Sequence, residues 1–168
     1  MKTHFLGAAC ACAYTLAVSM SANAALVDRG GGLIYDTDLN ITWLADANYA
    51  MASGYDADGR MTWTNAMTWA ANLSYGGYID WRLPTTLQPD PTCQFNDAIG
   101  SYGYNCTGSE MGHLIYTELG GWTGQSIVPP AYHNGNYSLF TNIQGYSYWT
   151  ATTYTANPML RMVFQSFK

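Results

Sequence analysis

The chain of 168 residues contains few charged side chains. Asp, Glu, Lys and Arg make up 10% of it, and eleven acidic residues outnumber six basic ones, so the net charge is −5. Without a basic patch the chain lacks the surface that nucleic acid or an anionic membrane requires, and neither partner is expected. Its polar surface must come from Asn, Thr, Ser, Gly and Tyr. Such a composition is more typical of exported β-rich and carbohydrate-handling domains than of cytoplasmic enzymes.

Long apolar runs are missing everywhere except at the N-terminus. After residue 24 nothing approaches the roughly 20 apolar residues that a transmembrane helix requires, so the mature chain is predicted to contain no span. The exception, residues 5–20, follows the basic Lys2 and precedes the small-x-small triplet Ala22-Asn23-Ala24. This order predicts a signal peptide over 1–24, cleaved after Ala24, and a secreted or periplasmic protein. Lipidation at Cys10 is disfavoured, because no Leu precedes it at the third position.

Removal of the signal peptide leaves residues 25–168, a length that predicts one domain. Five basic side chains then face eleven acidic ones, a net charge of −6. Two of the four cysteines also remain, Cys93 and Cys106, and in an oxidising compartment they are expected to form a disulfide. A metal or redox pair is the less favoured alternative, because the spacing is not C-x-x-C and no His lies nearby. The turn-rich loop between the cysteines is expected to be irregular.

The order of periodic segments predicts an α+β fold. Apolar runs at 32–36 and 39–44 predict a β-hairpin, and 45–59 reads as a loop. Two helices are predicted, over 63–73 with Thr62 as N-cap and over 110–119 with Ser109 as N-cap. A strand at 77–83 ends at Pro84, and two further strands are predicted at 144–152 and 160–167. The stretches 86–106 and 121–138 are expected to be long irregular loops.

Several of these segments together resemble a known family. The likeness covers nearly all of 26–168 and includes an N-terminal Leu26-Val27-Asp28-Arg29-Gly30-Gly31-Gly32-Leu33-Ile34-Tyr35-Asp36. The other matching blocks are Asp36 with Ile41 and Trp43, Trp63 with Ala66, Gly77-Tyr78-Ile79-Asp80-Trp81-Arg82-Leu83-Pro84-Thr85, Gly103-Tyr104-Asn105-Cys106-Thr107-Gly108-Ser109-Glu110-Met111, and Tyr148-Trp149-Thr150-Ala151-Thr152. In these blocks the chain resembles exported proteobacterial members of the domain family named for the C-terminal domain of the Legionella collagen-like adhesin.

The resemblance implies a C-type-lectin-like fold, with two helices packed on short antiparallel strands, and an adhesive or glycan-binding role. The named relative binds sulfated glycosaminoglycans, but a mature chain with five basic residues is a poor partner for a sulfated polyanion. The role implied here is therefore that of a non-catalytic exported domain that binds a glycan or a surface. The alternatives are a purely structural exported domain without a ligand and, least favoured, a formylglycine-generating-like enzyme remnant.

Relatives in this family usually continue past the position of Phe167 with a strand that closes the sheet. The expectation is a shortened member or an incomplete reading frame, in which the strand at 160–167 lies at a sheet edge. Unpaired backbone groups at an edge invite another chain, so self-association through this strand is predicted. Leu160, Met162 and Phe164 would form one of its faces.

Each polar motif has a simpler interpretation than a reactive site. The string from Asp36 to Asn40 begins like a calcium loop but lacks the Gly and the distal Glu, and it is interpreted as turn chemistry. Asp56 and Asp58 are a better fragment that also lacks a distal carboxylate, so a weak calcium site there stays open. Trp81 is expected in the core, and Arg82 is expected to pair with Asp80 or Asp36. His113 is interpreted as a surface residue.

Catalytic signatures are missing as well. No Ser/His/Asp order, metal-ligand cluster or phosphate-binding loop occurs, so no enzyme activity, metal or cofactor is expected. A ligand site is instead expected on the long loops, whose aromatics include Tyr102, Tyr104, Trp122, Tyr132 and Tyr137. Trp122 and Tyr104 are predicted to bind a neutral or weakly charged glycan, with Asn96, Asp97, Gln125, Asn134 and Asn136 as hydrogen-bonding partners. The alternative is that these aromatics only pack the loops onto the core.

Overall fold

The computed structural model describes residues 26–128, 132–153 and 161–165, with side chains described up to residue 153. The predicted signal peptide at 1–24 lies outside these residues. The strands are β1 (Leu26–Asp28), β2 (Leu33–Asp36), β3 (Ile41–Leu44), β4 (Phe95–Asp97), β5 (Gly100–Tyr102), β6 (Ser147–Thr153) and β7 (Arg161–Gln165). The helices are α1 (Tyr49–Ala52), α2 (Trp63–Asn72), α3 (Glu110–Gly112), a π-helix that continues α3 (His113–Glu118) and a 3-10 helix (Gly135–Leu139). Small antiparallel sheets with few helices make the fold α+β, as predicted.

The first sheet has the strand order β1-β2-β3, and all its pairings are antiparallel. The predicted hairpin is confirmed as β2 and β3, with Ile34 opposite Trp43. Asp36 shapes its turn, because its Oδ1 accepts hydrogen bonds from the N–H groups of Asp38 and Leu39 at 3.1 and 3.0 Å. The predicted loop that follows is corrected in one place, since Tyr49–Ala52 forms the single-turn helix α1.

Helix α2 begins where the sequence predicts. Thr62 is its N-cap and accepts a hydrogen bond from the N–H of Asn65 at 3.3 Å. The small Ala66 and Ala70 form its buried face, and the indole N–H of Trp63 donates to the carbonyl of Thr150 at 2.8 Å. This bond connects α2 to β6.

The second predicted helix is present with a different geometry. After one α-helical turn it widens into a π-helix, in which the N–H of Leu119 reaches the carbonyl of Leu114 at 2.9 Å. Ser109 is at the N-cap position, as predicted, but its side chain makes no capping bond, because its hydroxyl donates to the buried Asp90 at 2.8 Å. A Cβ on Gly112 would overlap the carbonyl oxygen of Cys106, so glycine permits the helix to lie against that backbone.

Two predictions for the middle of the chain are wrong. Residues 79–87 form no strand, because the run ends at Pro84, which cannot donate to a ladder; its carbonyl instead accepts one bond from Ala151 at 2.8 Å. Conversely, the loop between the cysteines contains a hairpin, β4 with β5, that was expected to be irregular. The ring pair Phe95–Tyr102, with centroids 5.3 Å apart, lies across this hairpin.

The last two predicted strands are confirmed as the antiparallel pair β6 and β7. Within the described part of the chain, β7 has β6 as its paired neighbour. The side chains of Leu160, Met162 and Phe164 lie outside the described ones, and self-association through this strand stays a prediction. No helix among the described residues has both the length and the apolar character that crossing a bilayer requires.

The hydrophobic core lies between β2, the π-helix and the segments that follow it. Its buried members are Ile34, Met111, Leu114, Ile115, Leu119, Ile127 and Phe140. Since these residues come from distant parts of the chain, the core fixes the π-helix against the first sheet and supports the loops after it.

Candidate ligand-binding surface

Trp122 is the most exposed aromatic side chain among the described residues, at 62%. It opens a tight turn that the N–H of Gln125 closes onto the Trp122 carbonyl at 3.0 Å, with Gly124 at a φ of +73° that favours glycine. Its ring is stacked on Tyr132, with centroids 4.6 Å apart and planes 13° from parallel. Tyr132 is itself 48% exposed, so the two rings form an aromatic platform at the surface. The platform is defined here as Trp122 and Tyr132.

Tyr104 lies beside the same turn, but it is half-buried. A Cβ added at Gly124 would lie 3.7 Å from the Tyr104 hydroxyl, which places the phenol against the turn. Next to it, the Thr123 hydroxyl donates to the side-chain oxygen of Asn105 at 2.8 Å. The structure therefore places Tyr104 and Trp122 on adjoining loops, with Tyr104 half-buried and Trp122 exposed.

The segment after Tyr132 fixes the platform to the core. The side-chain amides of Asn134 and Asn136 both donate to the carbonyl of Glu118, at 2.9 and 3.0 Å. These two asparagines, expected to bind ligand hydroxyls, satisfy the end of the π-helix instead. Among the other predicted hydrogen-bonding residues, Gln125 is exposed on the Trp122 turn, and the amide oxygen of Asn96 accepts from the Ser101 hydroxyl.

A disulfide joins Cys93 and Cys106, as the sequence predicts, with their Cα atoms 4.1 Å apart. The bond closes the loop that ends beside Tyr104 and Asn105. The buried Asp90 lies near both sulfurs, but thiols oxidised to a disulfide do not provide thiolate ligands for a metal. The disulfide therefore has a structural role in the loop that carries Tyr104 and Asn105.

Arg82 has a different partner from the one predicted. Its two terminal nitrogens donate to the two carboxylate oxygens of Glu110 at 2.7 and 2.6 Å, and the N–H of Thr85 adds a third bond at 2.7 Å. Burial opposes ionisation of Glu110, but these bonds leave its pKa below the usual value. The neighbouring Trp81 is half-buried and lies outside the core cluster, contrary to prediction. Arg82 therefore connects its segment to α3.

The other suspected positions also have structural roles. Asp56 accepts from the N–H groups of Asp58 and Gly59 at 3.1 and 2.8 Å, which lowers its pKa. Neither Asp56 nor Asp58 belongs to a group of three possible metal ligands in the part of the chain described here. His113 was interpreted as a surface residue, and this is corrected, since its side chain is only 14% exposed and faces Glu118.

A second concave feature borders the core. It is a cavity of about 610 Å³ whose lining includes the four tryptophans Trp43, Trp69, Trp81 and Trp149. Its size is within the range of pockets that hold small molecules.

The comparisons with known proteins add no relative. No protein-family model matches the sequence, no curated protein matches it, and no solved structure matches the fold. The class that the structure defines is an α+β domain with a disulfide and an exposed aromatic platform.

Proposed function

We propose that this protein is an exported, non-catalytic domain that binds a neutral or weakly charged glycan on the platform of Trp122 and Tyr132. The observation that carries the proposal is the ring of Trp122, which is 62% exposed although it is held in place by stacking. An exposed aromatic ring costs solvation free energy, and its fixed position reduces the conformational entropy lost when a ligand binds. Both features are typical of a binding surface.

The chemistry of the platform suits a sugar. The C–H groups of a pyranose ring can lie on an indole face, while exposed amides such as Gln125 bond to its hydroxyls. Large anionic ligands fit less well, because acidic residues outnumber basic ones and both terminal nitrogens of Arg82 are bonded to Glu110. The proposed ligand is therefore a neutral or weakly charged glycan and not a sulfated polyanion.

The proposal includes export and the family resemblance. Disulfides form and persist in oxidising compartments, so the Cys93–Cys106 bond supports a secreted or periplasmic location. Such a location is consistent with the proposed cleavage after Ala24. The α+β architecture with small antiparallel sheets supports the C-type-lectin-like assignment, although the segment 77–83, predicted as a strand between the two helices, is irregular. The alternative of a structural domain without a ligand differs in one respect: it predicts no saturable binding.

A glycan array with the purified protein tests the proposal, followed by titration calorimetry on the glycans that bind. Trp122→Ala and Tyr132→Ala should each weaken binding at least about tenfold, as expected for anchoring aromatics. Tyr55→Ala is the matched control, because Tyr55 is 55% exposed and belongs to another surface. Absence of any glycan ligand would favour the structural alternative, and equal affinity in all three variants would place the site elsewhere.

The aromatic-lined cavity favours a second candidate function, the binding of a small apolar molecule. Its supporting observation is a volume of about 610 Å³ whose lining is mostly apolar and includes four tryptophans. Trp69→Phe should then weaken binding of a fluorescent apolar probe and leave glycan binding unchanged. Probe binding that responds to Trp122→Ala and not to Trp69→Phe would reject the cavity as the site.

A further inference from the structure

Three ionisable side chains that are not part of the platform meet beside the core. A carboxylate oxygen of Asp36, a ring nitrogen of His113 and a carboxylate oxygen of Glu118 all lie within 4.8 Å of one another. His113 Nε2 lies 3.2 Å from Glu118 Oε1 and 3.8 Å from Asp38 Oδ2. The sequence separates these residues into two groups, 36–38 and 113–118, which the fold brings together at the end of β2.

The π-helix is responsible for half of this arrangement. His113 and Glu118 are five residues apart, so an α-helix would place them about 140° apart around its axis. The wider π-helical turn, with bonds from residue i to i+5, brings both side chains to one face. Such turns are rare and are frequent at functional sites, so the side chains they bring together are of interest.

One oxygen in this cluster lacks a partner. The side chain of Glu118 is fully buried, and its Oε2 is the one buried side-chain nitrogen or oxygen atom in the described residues without a hydrogen bond. A buried, unsatisfied carboxylate oxygen costs more free energy than almost any other polar defect. A cation bound by this carboxylate would give the unpartnered oxygen a contact and remove that penalty.

The charges are also unbalanced. Three carboxyl groups, from Asp36, Asp38 and Glu118, surround a single imidazole, so even a protonated His113 cannot neutralise them. Asp36 has spare acceptor capacity, because its two oxygens accept three hydrogen bonds and a carboxylate offers about four acceptor positions. Asp38 is 43% exposed and provides a route from solvent.

From this geometry we infer that Asp36, His113 and Glu118 form a binding site for a divalent ion of the zinc type, with Asp38 as a fourth ligand at its mouth. Ligand atoms in a tetrahedron around Zn²⁺ lie roughly 3.4 Å apart, and the observed separations of 3.2 and 3.8 Å are on either side of that value. An imidazole nitrogen together with carboxylates favours Zn²⁺ over Ca²⁺, which binds oxygen ligands. The ion would connect the β2–β3 turn to the π-helix. This metal site is a second binding site, in addition to the proposed glycan site.

The test begins with the wild-type protein made from the full chain and freed of metal with a chelator. Titration with ZnCl₂ should show one bound ion per chain and a rise in melting temperature. In the imidazole NMR spectrum, one equivalent of Zn²⁺ should shift the resonances of His113 and leave those of His133 in place. His133 is an internal control, because its ring is exposed and stacked on Tyr137. Parallel titrations with CaCl₂ should show weaker binding.

Variants then test the individual ligands. Glu118→Gln and His113→Gln should each lower Zn²⁺ affinity by at least about 100-fold. Mutation of residues that only hydrogen-bond to a metal ligand already lowers metal affinity by about 10–100-fold, and loss of a ligand itself should cost more. Asp80→Asn is the matched control, because Asp80 is an exposed acid outside the cluster, and it should bind as wild type does. The inference is overturned if wild type binds no Zn²⁺, if Ca²⁺ binds more tightly, if His113 does not shift, or if folded Glu118→Gln and His113→Gln retain their affinity.

Discussion

Arg82 and Glu110 are 28 residues apart in the sequence, yet they form a two-pronged ion pair at 2.7 and 2.6 Å. The carboxylate also accepts a hydrogen bond from the N–H of Thr85, so it fixes both the arginine and the segment that follows Pro84. This carboxylate, together with a backbone bond from the N–H of Glu110 to the carbonyl of Thr85 at 3.1 Å, joins the segment that was predicted as a strand to the start of α3 without any ladder. The pair explains how an irregular segment is positioned in the fold.

The first prediction concerns that pair. Arg82→Lys keeps the charge and loses the planar two-pronged geometry, so the free energy of unfolding should fall by about 1 kcal/mol. Urea denaturation measures the change. The control is Arg29→Lys, because Arg29 is exposed over the Tyr35 ring and a lysine keeps the cation there; it should change stability by less than about 0.5 kcal/mol. Equal effects of the two variants would contradict a special role for Arg82.

The second prediction compares alanine substitutions at two glycines, Gly112 and Gly135. Gly112→Ala should destabilise the fold by about 1–3 kcal/mol, because a methyl group would overlap the backbone carbonyl of Cys106. Gly135→Ala should be neutral or slightly stabilising, since nothing lies within 4 Å of its added Cβ. Thermal unfolding of both variants checks the ordering. A Gly112→Ala protein as stable as Gly135→Ala would show that α3 does not press against Cys106.

The third prediction concerns alkaline pH. Burial raises the pKa of Tyr148, whose hydroxyl accepts a hydrogen bond from the N–H of Gln144 at 2.7 Å. A raised folded-state pKa means that the stabilisation is complete below the unfolded value of about 10 and is lost as pH rises through the folded value. Wild type should therefore lose more stability than Tyr148→Phe above about pH 10. Denaturant unfolding at each pH measures the stability of both proteins. An equal loss of stability in wild type and Tyr148→Phe would contradict the burial of Tyr148.

The fourth prediction concerns the disulfide. Cys93→Ser with Cys106→Ser should lower the free energy of unfolding by about 3 kcal/mol, because the bond closes a short loop. The same loss should follow treatment of wild type with a reductant. Mass spectrometry after thiol labelling gives the oxidation state directly, and free thiols at Cys93 and Cys106 in the untreated protein would contradict the structure.

Local sequence signals predicted the elements that depend on local chemistry. Thr62 with its apolar periodicity located the start of α2, and the Asp36 turn between two apolar runs located the first hairpin. Both features are decided by residues within one turn of each other. The disulfide of Cys93 and Cys106 was predicted by elimination, because these are the two cysteines that follow the predicted signal peptide.

Features that depend on distant contacts were missed. An apolar pattern does not distinguish bonds to i+4 from bonds to i+5, so the π-turn that places His113 beside Glu118 left no sequence signal. The partner of Arg82 was misassigned because Glu110 reaches it only through the fold. For the surface, the sequence indicated exposed aromatics on two loops, but only the structure shows that Trp122 stacks on Tyr132.

The central claim is a glycan site on the platform, and the most direct measurement is NMR of the tryptophan indole N–H groups. The protein has six tryptophans, whose indole resonances can be assigned by substitution. Addition of the tightest-binding glycan from the array should shift the Trp122 resonance in a saturable manner and leave Trp63, which donates to Thr150, unchanged. A saturable glycan that leaves Trp122 unshifted, or the failure of every glycan to bind, would contradict the account.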